Sequence, residues 1–198
     1  MGGKVRAAAV HAAPVFMNRN ATIGKVVDLI KKATSDNVEL LVFPETFVPG
    51  YPYFIECYAP LDQVSALAKY TLESVVVDRG DLQPVQTACK EHSVSVCLGI
   101  SECIADGHTL FNSQVYIDSK GVIIGVHRKL QPTYVERVIW AQGSGHTLQV
   151  YDGLGNYRVG GLCCWENTMS QLAWSLRAKQ IGTAFTNGKW LQMVRDKL

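Results

Sequence analysis

Apolar runs and amphipathic segments alternate along the first part of the chain. Residues 5–11 and 38–43 are apolar runs of strand length, and between them apolar residues recur at the spacing of one helix face. Asn18 or Asn20 is suited to cap this helix. The helix-face residues are Ile23, Val26, Val27, Ile30 and Ala33. A strand, a helix and a strand in this order predict an α/β unit with a right-handed crossover.

Further helices and strands follow in the middle of the chain, where two strands are separated by a four-residue turn ending at Gly121. A short turn with a final glycine between apolar runs is typical of a β-hairpin. Pro84 is compatible with the first turn of a helix. The predicted helices are residues 65–77 and 82–92, and the predicted strands are residues 94–100, 109–117 and 122–126.

In the last third of the chain, the pattern of apolar and polar residues predicts strands, turns and one helix, and no linker or repeat interrupts them. We therefore treat residues 1–198 as a single domain. The predicted elements are a strand at 147–151, a turn at 152–156, a buried strand at 157–163, a helix at 169–180 and a strand at 181–185.

Composition excludes several classes of function. The chain has 198 residues, is 47% hydrophobic and carries a formal net charge of only +2, with no basic run that would attract nucleic acid. No apolar stretch is long enough to span a bilayer, and the first ten residues do not have the pattern of a signal peptide. We expect a cytoplasmic protein whose partner is a small, neutral molecule.

The six cysteines do not form a metal-binding pattern. No Cys-x-x-Cys pair or paired Cys/His spacing is present, so the sequence predicts no zinc site, no cofactor and reduced thiols. A disulfide between the adjacent Cys163 and Cys164 is a strained and rare alternative.

Cys164 follows the apolar strand at 157–163 and precedes the polar residues Glu166, Asn167 and Thr168, which look like the start of a helix. Backbone N–H groups at a helix start favour a thiolate, so a cysteine at such a turn is suited to nucleophilic chemistry. The alternative is that Cys164 is a small buried hydrophobe.

Two other strands end in groups that complement a thiol. Glu45 follows the strand at 38–43, and Lys129 leaves the strand at 122–126, with Glu136 on a short helical turn beyond it. Taken alone, Lys129 and Glu136 are more typical of solvated surface charges, whereas Glu45 follows a buried strand at a position where α/β sheets commonly build their sites. The loop after Glu45 carries Tyr51 and Tyr53, which either wall an apolar pocket or pack on the core.

Taken together, three segments resemble the nitrilase branch of the carbon–nitrogen hydrolase superfamily. The resemblance covers about residues 5–168, and the Cys-Trp-Glu form of the third segment favours nitriles over amides as substrates. The matching segments are Phe43-Pro44-Glu45-Thr46-Phe47 and onward to Pro52, Arg128-Lys129-Leu130 with Pro132-Thr133 and Glu136-Arg137, and Gly161-Leu162-Cys163-Cys164-Trp165-Glu166-Asn167.

This resemblance implies an α/β fold, a four-layer α-β-β-α sandwich, and assembly of subunits into dimers or larger spirals. It implies that Cys164 is the nucleophile, Glu45 the general base and Lys129 the electrostatic partner, with Glu136 positioning Lys129 and the substrate. Cys163 is expected to pack in the core. The candidate pocket-wall residues are Tyr51, Tyr53 and Trp165.

The chain is short for this family, and residues 169–198 diverge from its pattern, so we expect the sandwich to be incomplete at its C-terminal part. Three functions remain open: a nitrilase, an amidase or nitrile hydratase with the same site, and a non-catalytic subunit or fragment. The sequence does not distinguish aliphatic, aryl and arylaliphatic nitriles.

Overall fold

Two β-sheets form the centre of the protein. The computed structural model of the chain describes residues 5–154, 157–172, 175 and 183–187. In the first sheet the strands lie in chain order; β1, β2 and β3 are parallel, whereas β4 and β5 form the predicted antiparallel hairpin. These strands are β1 (Ala7–Ala9), β2 (Leu40–Val42), β3 (Ser95–Cys103), β4 (Leu110–Ile117) and β5 (Ile123–Arg128).

Helices pack on one face of this sheet, and the three predicted helices are confirmed to within a few residues, whereas the short helix α2 (Phe54–Cys57) was not predicted. Asn18 caps the first helix by accepting a hydrogen bond from the Ala21 N–H at 3.0 Å, as the sequence allowed. Leu41 of β2 and Leu98 of β3 pack against the apolar face of this helix in one buried cluster. The helices are α1 (Arg19–Ser35), α2 (Phe54–Cys57), α3 (Val64–Glu73) and α4 (Gln83–His92).

The second sheet packs on the opposite face of the first. It consists of β6 (Tyr151–Leu154), β7 (Tyr157–Cys163) and β8 (Thr183–Asn187), with β7 antiparallel to β6 and parallel to β8. Val159 and Tyr151 pack against a cluster from the first sheet that includes Leu40 and Tyr116. Alternate residues of β2 therefore contact helices on one side and the second sheet on the other. A helix layer and two sheets of the expected α/β sandwich are thus in place.

Two predicted elements near the C-terminal third were wrong. Residues 147–151 are not a strand: Gly145–Thr147 is a 3-10 turn in which the Thr147 hydroxyl donates to the Ser144 carbonyl at 2.8 Å, and β6 begins only at Tyr151. Side chain to backbone bonds of this kind compete with strand pairing. The predicted turn at 152–156 is strand as far as Leu154, and residues 155 and 156 lie outside the described part.

The helix predicted to begin near Glu166 is instead a 3-10 turn over Cys164–Thr168. Of the helix predicted at 169–180, the described residues 170–172 and 175 are helical, and most of the remainder lies outside the described residues. The final predicted strand is confirmed as β8. No helix in the described ranges is long and apolar enough to cross a membrane.

The strand directions explain where polar groups collect. Two antiparallel pairings separate β5 from β3, so β5 runs in the same direction as β2 and β3. The carboxyl ends of β2 and β5 therefore lie at the same edge of the first sheet, and β7 of the second sheet ends beside them. Three distant parts of the chain meet at this edge.

Candidate active site

Lys129 is the centre of the polar cluster at this edge. Its Nζ donates to Glu45 Oε1 at 2.9 Å and to Glu136 Oε2 at 2.7 Å, and its side chain is fully buried. Burial alone would lower the pKa of Lys129, but electrostatic interaction with Cys163 and with the Glu45 and Glu136 carboxylates outweighs it and raises that pKa above its usual value. The lysine therefore stays an ammonium and supplies a fixed positive charge inside the site.

Glu45 is held from two directions. Asn112 Nδ2 donates to the same Glu45 Oε1 at 2.7 Å. Behind it, Gly99 of β3 lets the chain at Glu45 approach closely, since a Cβ on Gly99 would lie only 2.1 Å from the Pro44 carbonyl oxygen. Thr46 adopts a positive φ of 44° directly after Glu45. The carboxylate thus depends on a close backbone contact that a larger residue at position 99 would not permit.

Glu136 lies on the 3-10 turn Tyr134–Val138, as the sequence indicated. Its Oε2 accepts the Thr133 N–H at 2.7 Å in a capping box, and the same oxygen accepts the Lys129 ammonium. Its other oxygen accepts the Tyr51 hydroxyl at 3.3 Å. Burial, and then the charge of Glu136, raises the pKa of Tyr51 above its usual value, so the phenol remains a hydrogen-bond donor.

The two adjacent cysteines face different surroundings. Cys163 ends β7, is 1% exposed, and its thiol donates to Glu45 Oε1 at 3.1 Å. Cys164 begins the following 3-10 turn with a positive φ of 53° and is partly exposed. Both are free thiols. Such a strained backbone angle at a strand end is found often at functional residues.

Burial and charge raise the pKa of both thiols. Burial, and then the charge of Glu45, raises the pKa of Cys163 well above its usual value, although Lys129 acts in the opposite direction. The same two causes raise the pKa of Cys164, while Lys129 and the Trp165 backbone N–H act in the opposite direction. A proton acceptor must therefore assist before either sulfur becomes a thiolate. Glu45 is the carboxylate that contacts the Cys163 thiol.

A cavity of about 440 Å³ adjoins Glu45, and its wall includes Tyr51 and Tyr53. The two tyrosine rings pack against each other with centroids 5.0 Å apart. Trp165 is 63% exposed and does not line this cavity, so its assignment to a pocket wall stays a prediction. The remaining wall is mainly apolar and comes from Ala12, Ala13, Pro14, Phe16, Pro44, Thr46, Phe47 and Gly50.

The sequence analysis proposed Glu45, Lys129 and Glu136 as site residues. In the structure Lys129 contacts both glutamates directly. The sequence analysis missed Asn112 and gave Cys163 only a packing role, although Cys163 contacts Glu45. Asn112 begins a run of three polar residues, Asn112, Ser113 and Gln114, inside a strand whose ends are apolar, and this run was the available signal.

It also missed the buried pair His127 and Glu166, whose side chains meet at 3.0 Å. The spacing of Cys163 and Glu166 is that of a capping box, and this was the only local clue. Across the described part of the chain, no cluster of three or more His, Cys, Asp or Glu side chains is arranged to hold a metal ion.

The two-sheet α/β fold thus carries a lysine held between two carboxylates beside a turn with two cysteines. The family model of the carbon–nitrogen hydrolases matches residues 6–194. The chain belongs to the carbon–nitrogen hydrolase family.

Relatives and solved structures agree with this membership. The chain is 37% identical over 182 residues to an aliphatic nitrilase of Rhodococcus rhodochrous, covering 90% of this chain and 49% of the relative. It is also 37% identical to the bromoxynil-specific nitrilase of Klebsiella pneumoniae subsp. ozaenae, over 88% of this chain and 49% of that one. The chain thus spans about half the length of these relatives.

The fold itself is shared with the crystal structure of a carbon–nitrogen hydrolase from Helicobacter pylori G27, at a TM-score of 0.72 and 19% identity. That match covers 93% of this chain and 60% of the other. An amidase from Nesterenkonia sp. gives a TM-score of 0.68 at 13% identity, over 92% and 64% of the two chains.

Proposed function

We propose that this chain carries the reactive groups of a nitrilase, which converts a nitrile and two waters to a carboxylic acid and ammonia. The observation that supports this best is the Lys129 ammonium, 2.9 Å from Glu45 and 2.7 Å from Glu136. The Cys163 thiol contacts the same glutamate, and the partly exposed Cys164 follows it directly. This combines a nucleophile, a base and a fixed positive charge in one buried site.

In the first step Glu45 removes the proton from Cys164, and the thiolate attacks the nitrile carbon. The C–S bond forms as one π bond of the nitrile opens, and negative charge develops on nitrogen. The Lys129 ammonium and the Trp165 N–H stabilise this charge, and the protonated Glu45 returns the proton to give a thioimidate. Fixed donors of this kind are typically worth about 10²–10³-fold in rate.

In the second step Glu45 takes a proton from water as the water oxygen adds to the thioimidate carbon. Glu45 then returns this proton to the nitrogen, the C–N bond breaks, and ammonia leaves as the carbonyl of a thioester forms on Cys164. A second water, activated in the same way, releases the carboxylic acid and the free thiol. Glu136 keeps Lys129 directed at the reacting nitrogen because it accepts a hydrogen bond from the same ammonium.

We assign the nucleophile to Cys164 rather than Cys163. Cys164 is partly exposed and is the cysteine of the Cys-Trp-Glu segment, whereas Cys163 is 1% exposed and offers a substrate no approach. Cys163 is instead a neighbour of the base, because its thiol donates to Glu45. A thiolate at Cys164 would lie next to the Trp165 N–H, which lowers its pKa.

Nitriles are the proposed substrates because the Cys164-Trp165-Glu166 segment resembles the nitrilase branch and because the relatives reported above are named nitrilases. The apolar cavity beside Glu45, with Tyr51 and Tyr53 in its wall, suits the organic substituent of a nitrile.

The test is an ammonia-release assay of the 198-residue chain against aliphatic, aryl and arylaliphatic nitriles, with Cys164→Ala as the control. We expect ammonia and the carboxylic acid from the unmodified chain and neither from the variant. Amide without ammonia would identify a hydratase, and hydrolysis of amides alone would identify an amidase.

The non-catalytic alternative makes a different prediction. A subunit that only binds or assembles would release no ammonia, and a thiol reagent would not label Cys164 in preference to the other five cysteines. We expect preferential labelling of Cys164 over the buried cysteines, because it is partly exposed and beside Lys129.

We also propose that the chain works in the cytoplasm and pairs with further copies of itself. Six free thiols suit a reducing compartment. Around α3, Leu61 is 87% exposed and Leu72 is 73% exposed, which gives an apolar surface suited to subunit contact. Light scattering should detect an oligomer that Leu61→Asp weakens.

A further inference from the structure

A buried glutamate joins the two sheets immediately behind the candidate site. Glu166 is 0% exposed, and its Oε1 accepts the Leu130 N–H at 2.8 Å while its Oε2 accepts the Cys163 N–H at 2.7 Å. Leu130 follows Lys129 directly, and Cys163 precedes Cys164 directly. One carboxylate therefore connects the chain that carries the lysine to the turn that carries the two cysteines.

The third partner of Glu166 is His127, whose side chain is also almost fully buried. His127 Nε2 lies 3.0 Å from Glu166 Oε2. Its Nδ1 lies 3.3 Å from the carbonyl oxygen of Thr147, and the Thr147 hydroxyl uses its own hydrogen on the Ser144 carbonyl. Both ring nitrogens thus face oxygen atoms, which fixes the orientation of the ring behind the site.

We propose that Glu166, paired with His127, is a positioning residue that sets the distance between Lys129 and the Cys164 turn. This inference rests on the proposed function, because it assigns a purpose to residues around the same site. Glu166 does not touch the reacting atoms itself. It acts through two backbone N–H groups, one beside each of the reactive side chains.

Energetics favour a positioning purpose over a purely stabilising one. A buried ion pair often contributes little net stability because both charges lose their water. A carboxylate that accepts two N–H groups and faces an imidazole nevertheless allows only a narrow range of geometries. Displacement of a catalytic group by about 1 Å can cost about 10²-fold in rate, which is the scale on which this contact matters.

Hydrolysis and thiol labelling by the full chain test this proposal. Glu166→Gln keeps the size of the side chain, but its amide group has a single acceptor oxygen where the carboxylate served three donors. We expect kcat for nitrile hydrolysis to fall about 10²-fold with a much smaller change in KM. His127→Gln, which removes the ring that contacts Glu166, should move kcat in the same direction, and it provides a second measurement if Glu166→Gln does not fold.

Alkylation by iodoacetamide, mapped by mass spectrometry, gives a readout that does not depend on nitrile hydrolysis. Cys57 is exposed and distant in sequence, so it serves as an internal reference. We expect the ratio of Cys164 to Cys57 labelling to change at least several-fold in Glu166→Gln. Glu166→Asp keeps the carboxylate, so we expect a labelling ratio closer to that of the unmodified chain. If Glu166 acted only by filling space, the shorter aspartate would not bring the ratio back.

Asp81→Asn is the control. Asp81 is likewise a carboxylate that accepts a backbone N–H, from Val76 at 2.8 Å, and a cationic side chain, Arg79 Nη2 at 2.7 Å, but it is outside the site. Its substitution should lower the thermal midpoint while leaving kcat and the labelling ratio unchanged. The proposal is overturned if Glu166→Gln labels and hydrolyses like the unmodified chain, or if Asp81→Asn reproduces its effects. If Glu166→Gln changes the labelling ratio but the unmodified chain hydrolyses no nitrile, the proposed function is overturned and the positioning proposal is not.

Discussion

Different interactions hold the middle and the edge of the first sheet. In the middle, Leu41, Leu98 and Ile30 pack apolar surface between the sheet and α1. At the edge, Lys129 is fully buried among carboxylates. Burial of the apolar side chains by itself stabilises the middle of the sheet. At the charged edge, the attraction between the charges is largely offset by the hydration that they lose on burial. The comparison teaches that the edge is maintained for chemistry and the middle for stability.

The most severe test of that contrast removes the central charge. Lys129→Met leaves Glu45 and Glu136 buried together without a cation, so we expect a loss of about 3–5 kcal/mol in the free energy of unfolding. The same variant should lose about 10²–10³-fold in kcat, because the positive charge no longer stabilises developing negative charge. Urea unfolding and ammonia release measure the two effects. The exposed Lys120→Met should change neither.

The opposite test makes a cavity in the middle of the molecule. Ile30 is 0% exposed, and Ile30→Ala should lower the free energy of unfolding by about 2–5 kcal/mol. At temperatures below the unfolding transition, kcat should stay within about twofold of the value for the unmodified chain. The reason is that substitutions at sites far apart in the structure usually act independently of each other. A large fall in kcat for the folded variant would contradict the separation of the two regions.

A smaller effect is expected at the second cysteine. Cys163→Ala removes one thiol hydrogen bond to Glu45, an interaction worth about 1 kcal/mol, so kcat should fall by no more than about tenfold. Cys164→Ala should abolish ammonia release while leaving the unfolding midpoint nearly unchanged. The reverse result would assign the nucleophile to Cys163. Kinetics of both variants, measured side by side, decide the point.

The smallest effect concerns a surface charge pair far from the site. Burial alone would raise the pKa of Asp81, but hydrogen bonds from Arg79 and the Val76 N–H lower it below its usual value. The stabilisation is therefore present at neutral pH and is lost as pH falls through the lowered pKa. Arg79→Ala should cost less than about 1 kcal/mol at pH 7, since Arg79 is largely exposed.

The measurement for this pair is the unfolding midpoint as a function of pH. The difference between Arg79→Ala and the unmodified chain should shrink as the pH falls below the usual Asp pKa of about 3.9. In an Asp81→Asn background the same substitution should show no such pH dependence. A difference that grows at low pH would mean that the carboxylate is not the group involved.

The sequence predicted α1, α4 and β7 well because their signals are local. The apolar spacing of α1, its Asn18 cap, and the continuous apolar run of β7 need no knowledge of distant residues. Gly145–Thr147 was missed for the opposite reason: the Thr147 hydroxyl bond and the neighbouring His127 ring decide its conformation.

Local pattern and residue chemistry by themselves determined the α/β class and placed Glu45, Lys129 and a cysteine at the ends of apolar strands. They did not determine contacts, because the partners are far apart in the chain: Cys163 and Glu45 are 118 residues apart, and His127 and Glu166 are 39 apart. Only the tertiary structure decided that one carboxylate joins the lysine-bearing chain to the cysteine turn. The shared direction of β2 and β5, with the second sheet packed across them, brings these groups within hydrogen-bond distance.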